Sequence, residues 1–299
     1  MRHRSSLLGG GFLAVGLLFA LGVRTGWIDL TPVVCLVVEC PEEDGLDFQS
    51  LPEGVPAVAG TSAPTPADPP FTLLTQLNRQ GGQFSISPAG QFIRESGVLT
   101  AAVNDLNEQL TLDRTVPIIV GRACGEVNAF YDPNQREIVF CDEMFGMLSR
   151  LFARYEGGAF EDAVLGATLF FVMHEVGHAL VHAYDLSTYG GEEDAADAIA
   201  AYLLTRNGAS QRAFDGAASF QYMALTRAEQ NLAFPLWDVH SPDERRFYNL
   251  VCTLYGAEPE RYAAVARAFL PDLRAQGCAD EYARLQRHME RDLGPHLRR

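Results

Sequence analysis

The sequence contains no lysine: all 23 of its basic residues are arginine. Without lysine, the chain has no amine side chain for a Schiff base with a carbonyl substrate or a pyridoxal cofactor. The G-x-x-x-x-G-K phosphate-binding loop is missing for the same reason, and we expect no nucleotide partner. The 38 acidic residues give a formal net charge of -15, so the chain lacks the electrostatic footprint of a nucleic-acid-binding protein.

The first residues of this 299-residue chain predict export. Arg2 and Arg4 precede an apolar run over residues 7–23, which is the pattern of an export signal or a membrane anchor. The run is just long enough to span a bilayer, and no A-x-A cleavage site follows it. We therefore expect an uncleaved membrane anchor within residues 1–40, with the rest of the chain in the periplasm or outside the cell. Secretion after cleavage near residues 20–22 is the alternative.

Residues 41–70 are rich in proline, alanine, glycine and acidic residues, a composition typical of a semi-extended linker. The folded domain is then expected over residues 71–299. Its hydrophobic periodicity predicts an α+β fold, with a small strand-containing N-terminal part leading into a mostly helical body. Residues 115–120 predict a strand, and Pro117 suggests that this strand lies at a sheet edge. Helices are predicted at residues 97–112, 143–155, 159–184, 192–206, 210–232, 243–255, 259–269 and 278–293.

The six cysteines predict disulfides, because an exported chain meets an oxidising compartment. Cys124 and Cys141 flank a predicted hairpin, and a bridge across it is the natural pairing. Cys252 and Cys278 flank one predicted helix and can tie the C-terminal helices together. Six cysteines allow 15 connectivities, so other pairings stay open. Six reduced thiols in a cytosolic protein are the other interpretation.

The strongest motif is H-E-x-x-H, present as HEVGH at residues 174–178. Residues four apart share one face of a helix, so His174 and His178 can bind one zinc ion together. Glu175 lies at the edge of that face, where it can take a proton from the attacking water and pass it to the leaving amine. The alternative is a pair of hydrogen-bonded core histidines.

A catalytic zinc needs a third protein ligand, and the acidic start of the next predicted helix offers one. We expect Glu193 to be that ligand, with Glu192 or Asp194 as alternatives. Asp197, one turn further on, can accept the N–H of a ligating imidazole and fix its tautomer. Acidic residues in a first helical turn also favour the helix dipole, an interpretation that needs no metal. His182 lies two turns beyond His174, too far to share an ion with it.

A second polar cluster follows at residues 240–248. Amide hydrolysis passes through an oxyanion, and His240, Arg246 or Tyr248 could donate a hydrogen bond to it. We choose His240 as the candidate catalytic residue. The sequence Ser241-Pro242 is equally typical of a helix start, which gives the cluster a purely structural interpretation.

The motif HEVGH followed by EEDAAD resembles the gluzincin pattern of thermolysin-like zinc peptidases. The chain is also similar to a bacterial family described as putative metallopeptidases in its CGEVNAFYDP, HEVGHAL, EEDAADAIA and HSPDERRFYNLVC segments. The resemblance implies a zincin-like body and one zinc ion bound by His174, His178 and Glu193. It further implies that Glu175 is the general base and that Asp197 accepts a hydrogen bond from a ligating histidine. The substrate it implies is a peptide or a protein. The gap of 15 residues from His178 to Glu193 is shorter than in thermolysin-like enzymes.

Two classes of function follow from these patterns. The first is a zinc-dependent peptidase, exported and anchored in a membrane through its N-terminal apolar segment. The second is a non-catalytic binding module on the same fold, with a structural metal or none. The presence of Glu175 favours the enzyme, because folding does not need that carboxylate.

Overall fold

The structure is a computed structural model that describes residues 68–80, 83–153, 157–188 and 191–298. The predicted membrane segment, most of the predicted linker and the first two cysteines lie outside the described residues, so those expectations stay predictions. The described part is mostly helical and has a small sheet towards its N-terminal side. This confirms the predicted α+β class.

The larger sheet has four strands in the order β1-β4-β6-β5, and β2 and β3 form a separate antiparallel pair. Strand β4 pairs in parallel with both β1 and β6, whereas β5 pairs antiparallel with β6. Strand β5 therefore lies at the sheet edge. The strands are β1 (Phe71–Thr75), β2 (Leu77–Gln80), β3 (Gln83–Ile86), β4 (Val116–Arg122), β5 (Ala129–Asp132) and β6 (Glu137–Cys141).

Ten α-helices are described, and those of the C-terminal half form the body of the fold. Helices α5, α8 and α10 match the predicted ranges residue for residue. The helices are α1 (Pro88–Ser96), α2 (Val98–Gln109), α3 (Asp142–Leu151), α4 (Gly157–Tyr184), α5 (Glu192–Arg206), α6 (Ser210–Glu229), α7 (Asp243–Ala257), α8 (Pro259–Phe269), α9 (Asp272–Ala275) and α10 (Cys278–Leu293).

The predicted edge position of the strand that contains Pro117 is wrong. This strand, β4, lies between β1 and β6. Pairing between β4 and β6 begins with Ile118 opposite Ile138, one residue after the proline. The missing N–H of Pro117 therefore interrupts no pairing with β6, which is the usual exception for a proline at the start of a strand.

Helix α4 is the central element of the body and packs against α5 and α6. It is apolar on all sides, and residues such as Phe170 and Val176 have no exposed surface. By length and composition it could span a membrane, but 94% of its most apolar stretch is buried inside the fold. Burial of this kind is typical of the core helix of a globular domain.

The described residues contain two disulfides, and they are the two predicted pairs. Cys124 and Cys141 join the loop before β5 to the end of β6, with Cα atoms 5.7 Å apart. Cys252 and Cys278 join α7 to the start of α10, with Cα atoms 5.1 Å apart. The first bridge fixes the loop that leads into the edge strand, and the second fixes the last long helix against the body.

Candidate metal centre

The centre lies where α4 and the first turn of α5 come closest. Gly177 marks the contact point: a Cβ added to it would lie 2.9 Å from Ala196 Cα and 3.0 Å from Ala196 O. Only a residue without a side chain allows the two helices to approach this closely. The approach places the acidic start of α5 against the histidine-bearing face of α4.

Three side-chain atoms converge at this point. His174 Nε2 and His178 Nε2 are 3.2 Å apart. Glu193 Oε2 is 3.2 Å from His174 Nε2 and 3.4 Å from His178 Nε2. These residues form one of the two groups in the described part of the chain that could hold a metal ion.

The size and chemistry of this triangle fit a zinc ion. Donor atoms bound tetrahedrally to zinc at about 2.0–2.1 Å lie roughly 3.3 Å from each other. The three observed separations, 3.2, 3.2 and 3.4 Å, match that spacing. Two imidazole nitrogens and one carboxylate oxygen are also donors that zinc accepts, and three protein donors leave a fourth position open.

Neighbouring carboxylates orient both imidazoles. His174 Nδ1 is 2.8 Å from Asp197 Oδ1, and His178 Nδ1 is 2.7 Å from Glu192 Oε1. An ionised carboxylate only accepts, so each Nδ1 carries a proton and donates it. Each Nε2 is then the nitrogen that faces the centre of the triangle, which is the ring orientation that metal binding needs.

Arg246 fixes the position of Asp197. Its Nε and Nη2 each donate a 2.7 Å hydrogen bond to Asp197, one to each carboxylate oxygen. The guanidinium also lies 3.9 Å from the ring centre of Phe220. Arg246 and Asp197 are both buried, so this two-point contact holds the carboxylate in one orientation.

The ionisable groups of the centre shift one another's pKa values. Burial opposes ionisation of Glu193, but hydrogen bonds from three imidazoles hold the pKa of its carboxyl well below its usual range. Burial likewise lowers the pKa of His178, yet hydrogen bonds to two glutamates outweigh it and raise that pKa to about 9. For Asp197, burial raises the pKa but Arg246 dominates and lowers it to about 2. The carboxylates therefore stay ionised, and their charge favours a bound cation.

Glu175 is 5% exposed and lines a cavity of about 980 Å³ beside the triangle. The backbone of Tyr131, in the edge strand, lowers the pKa of its carboxyl slightly. Burial raises the pKa of Glu175, and the nearby histidines only partly offset this effect. A buried carboxyl with a raised pKa suits proton transfer at the neighbouring metal position.

His240 reaches the centre from the loop between α6 and α7. Its Nε2 is 3.1 Å from Glu193 Oε2, and its Nδ1 is 2.9 Å from Asp238 Oδ1. Its side chain is 46% exposed and lines the same cavity as Glu175. The two alternatives lie elsewhere: Arg246 is buried behind Asp197, and Tyr248 is exposed outside the cavity.

The acidic alternatives to Glu193 have other contacts. Glu192 accepts a hydrogen bond from Nδ1 of His178, so its role is to orient that ring. Asp194 lies 3.3 Å from Arg245. The orienting role of Glu192 was not predicted, although its place in the first turn beside Glu193 was the available signal.

His182 lies outside the triangle, as expected, but it is not an isolated side chain. Its Nδ1 is 2.7 Å from the hydroxyl of Tyr131, and both residues line the large cavity. This contact between α4 and the edge strand was not predicted, because no sequence pattern links the two positions.

The second group of potential ligands has a structural explanation. It comprises Cys124, Cys141 and Glu143, but the two sulfur atoms are joined in a disulfide. Glu143 accepts hydrogen bonds from the backbone N–H groups of Cys124 and Gly125. These contacts hold the loop that enters β5.

Comparison with known proteins gives one match. A family model described as putative metallopeptidase, DUF4344, matches residues 83–293. That stretch contains the whole candidate centre and both helices that form it. No curated protein and no solved structure matches the chain.

Proposed function

This chain belongs to the DUF4344 family of putative metallopeptidases, and we propose on that premise that it is a zinc peptidase of the gluzincin type. The observation that carries the proposal is the triangle of donor atoms formed by His174, His178 and Glu193. Its dimensions are those of a tetrahedral zinc site with one position left for solvent or substrate. These three residues would hold the zinc ion, which would supply polarisation of the substrate carbonyl and a more acidic water molecule.

Glu175 performs the proton transfers in this proposal. Its buried carboxylate accepts a proton from the attacking water and donates it to the nitrogen of the leaving amine. His240 lines the same cavity, and we assign to it the hydrogen bond to the oxyanion that forms on the substrate. Its Nε2, which is 3.1 Å from Glu193 Oε2, would turn to the oxyanion when substrate is bound.

The sheet edge provides a place for the substrate backbone. Strand β5 pairs with β6 on one side only, and Ala129, Phe130 and Tyr131 line the large cavity. An extended peptide can add to such a strand through main-chain hydrogen bonds. The scissile bond of that peptide then lies against Glu175 and the donor triangle.

The decisive experiment is the Glu175→Gln variant, assayed with an unfolded protein substrate and by metal analysis. We expect the parent to bind one zinc per chain and to cleave the substrate until a chelator is added. Glu175→Gln is expected to keep its zinc and lose cleavage by at least about 100-fold, the minimum typical of a lost general base. Glu161→Gln, on an exposed part of the same helix, is the matched control and is expected to cleave normally.

Two outcomes would contradict the proposal. Equal cleavage by Glu175→Gln and the parent would remove Glu175 from the mechanism. Stoichiometric zinc without any cleavage by the parent would favour the non-catalytic binding module instead.

We also propose that the domain over residues 71–299 is exported and stays attached to a membrane through residues 1–40. Support comes from the apolar run behind Arg2 and Arg4 and from two disulfides, which persist in oxidising compartments. Protease added to intact cells or spheroplasts is expected to degrade the domain, which fractionates with membranes. Recovery of the protein in the cytosol with reduced thiols would contradict this location.

A further inference from the structure

The loop between α6 and α7 contains an exposed apolar segment, residues 232–239, which we call the apolar turn. Its sequence is LAFPLWDV, so Asp238 is its only charged residue. Trp237 is 88% exposed and Leu236 is 86% exposed, the highest values among the large apolar side chains of the described residues. Val239 is exposed as well. A cluster of exposed apolar side chains marks an interaction surface.

Hydrogen bonds shape the apolar turn so that its tip is uncharged. The backbone N–H of Asp238 donates a 2.9 Å hydrogen bond to the carbonyl of Pro235, which places Leu236 and Trp237 at the two central positions of a β-turn. The carboxylate of Asp238 is engaged with His240: its Oδ1 accepts the backbone N–H and lies 2.9 Å from Nδ1. The tip therefore carries two bulky apolar side chains and no charge.

The apolar turn lies next to the candidate metal centre. On one side of the tip, the guanidinium of Arg227 lies 5.2 Å from the ring centre of Phe234. On the other side, Val239 and His240 line the large cavity, and His240 Nε2 is 3.1 Å from Glu193 Oε2. The tip is therefore at the rim of the cavity in which the proposed reaction takes place.

The chemistry of the tip fits a lipid bilayer. A tryptophan ring is amphipathic, and tryptophan is enriched where a bilayer meets water. The tip protrudes instead of forming a broad surface, and a fluid bilayer can bury a protruding side chain without a matching pocket. The formal net charge of -15 gives no general attraction to anionic lipid head groups. The contact therefore depends on apolar insertion.

The sequence before the described body supplies a way to bring the turn to a membrane. The apolar run over residues 7–23 is the proposed anchor, and residues 24–67 link it to the body. A tethered domain meets the bilayer surface at a high effective concentration, so a small second contact is enough to orient it.

We propose that Leu236 and Trp237 enter the interface of a lipid bilayer and hold the opening of the large cavity at the membrane surface. The substrate that this placement favours is a polypeptide segment exposed at that surface. The proposal rests on the membrane attachment and the peptidase function proposed above, which it extends with an orientation and a class of substrate.

The test follows Trp237 in the full-length zinc-loaded protein, reconstituted into phosphatidylcholine vesicles. The chain has two tryptophans, so the Trp27→Phe variant leaves Trp237 as the only one. Lipids brominated on their acyl chains quench a tryptophan that contacts them inside the bilayer. We expect strong quenching of Trp237 by these lipids and weak quenching by acrylamide in the water. The reverse pattern overturns the proposal and leaves another protein as the occupant of the turn.

Leu273 provides the matched control, because it is 85% exposed but lies in α9. Its neighbour Arg274 donates a hydrogen bond to Cys252 Sγ, more than two helical turns from the end of α7 that joins the apolar turn. Leu273→Trp, made in a chain whose two native tryptophans are replaced by phenylalanine, is expected to escape quenching by lipid. Equal quenching at both positions overturns the proposal.

The double variant Leu236→Ser/Trp237→Ser tests the placement of the cavity. Cleavage of an unfolded protein attached to the same vesicles by a lipid is expected to fall by about 10-fold, the effect of one large apolar side chain lost from the bilayer. Cleavage of the same protein in solution is expected to stay unchanged, as are both rates in Leu273→Ser. An unchanged rate on the vesicle-bound protein overturns the placement of the cavity at the membrane.

Flotation of the vesicles separates this inference from the proposed function. Both the parent and the double variant are expected to float if residues 1–40 anchor the chain. Flotation without quenching of Trp237 by lipid overturns the inference alone, whereas flotation that is lost in the double variant overturns the anchor and supports the inference. If neither protein floats, both are wrong. Absence of any cleavage overturns the peptidase function and leaves the quenching to decide the membrane contact.

Discussion

The Gly177→Ala variant is expected to weaken metal binding while leaving the fold intact. The added methyl group would lie 2.9 Å from Ala196 Cα and 3.0 Å from Ala196 O, both backbone atoms of α5. Favourable contacts between carbon atoms begin at about 3.5 Å. Helix α5 must therefore shift away from α4 by roughly 0.5 Å. That shift moves Glu193 and Asp197 relative to both histidines.

The effect on stability is small because two contributions oppose each other. Overpacking costs about 1–3 kcal/mol, whereas alanine is favoured over glycine inside a helix by about 1 kcal/mol. The free energy of unfolding is therefore expected to fall by no more than about 2 kcal/mol. Zinc affinity is expected to fall by about 10–100-fold, as when residues that orient metal ligands are disturbed.

Zinc affinity is measured by competition with a chromophoric chelator, and stability by urea unfolding of the metal-free protein. Gly146→Ala is the matched control: it also lies inside a helix, and its new methyl group meets only the end of the Arg150 side chain, at 3.5 Å. This control is expected to keep its zinc affinity. If Gly177→Ala binds zinc as tightly as the parent, the close approach of the helices does not set the geometry of the centre.

Two further predictions concern buried charges. Arg246→Lys keeps the charge but loses the two-point contact with Asp197. We therefore expect this variant to lose about 10-fold in zinc affinity. An equal loss in the control variant Arg245→Lys, at an exposed neighbouring position, would contradict this prediction. Burial raises the pKa of Asp215 to about 7 from 3.8, so folding favours its protonated form and stability falls as the pH rises from 3.8 to about 7. Asp215→Asn is expected to remove that dependence and to be more stable than the parent above pH 7 by up to about 4 kcal/mol. Urea unfolding from pH 4 to 8 checks this, and parallel curves for the two proteins would refute it.

Long helices with strong amphipathic or apolar patterns were predictable from the sequence. Helices α5, α8 and α10 have the predicted bounds. Acidic residues mark the start of α5 and a proline marks the start of α8. Helix α10 begins at a cysteine and is followed by a glycine. Helix α1 was not among the predicted helices. Its start is marked by Ser87, whose hydroxyl accepts the N–H of Gly90, and by Pro88 at the first helical position. This local signal was present but lay in a short segment with little periodicity.

The histidine pair was predictable because its spacing depends on helix geometry alone, and the acidic start of the next helix indicated the third donor. His174 and His178 lie one turn apart, and Glu193 lies in the first turn of the next helix. The partners that come from distant elements were not predictable. Arg246 reaches Asp197 from α7, and its role depends on the packing of α7 against α5. Such contacts follow from the tertiary fold, which no local pattern encodes.

The burial of the middle of α4 has a consequence for the metal-free protein. Both histidines belong to a helix whose amide groups become accessible only when the whole domain opens, so these amides are expected to be among the slowest to exchange with solvent. The apoprotein then keeps its shape when the ion is stripped away, unlike a zinc finger, whose folding free energy comes from its metal. The ion can then be removed and added back reversibly, and activity can be restored without refolding the protein.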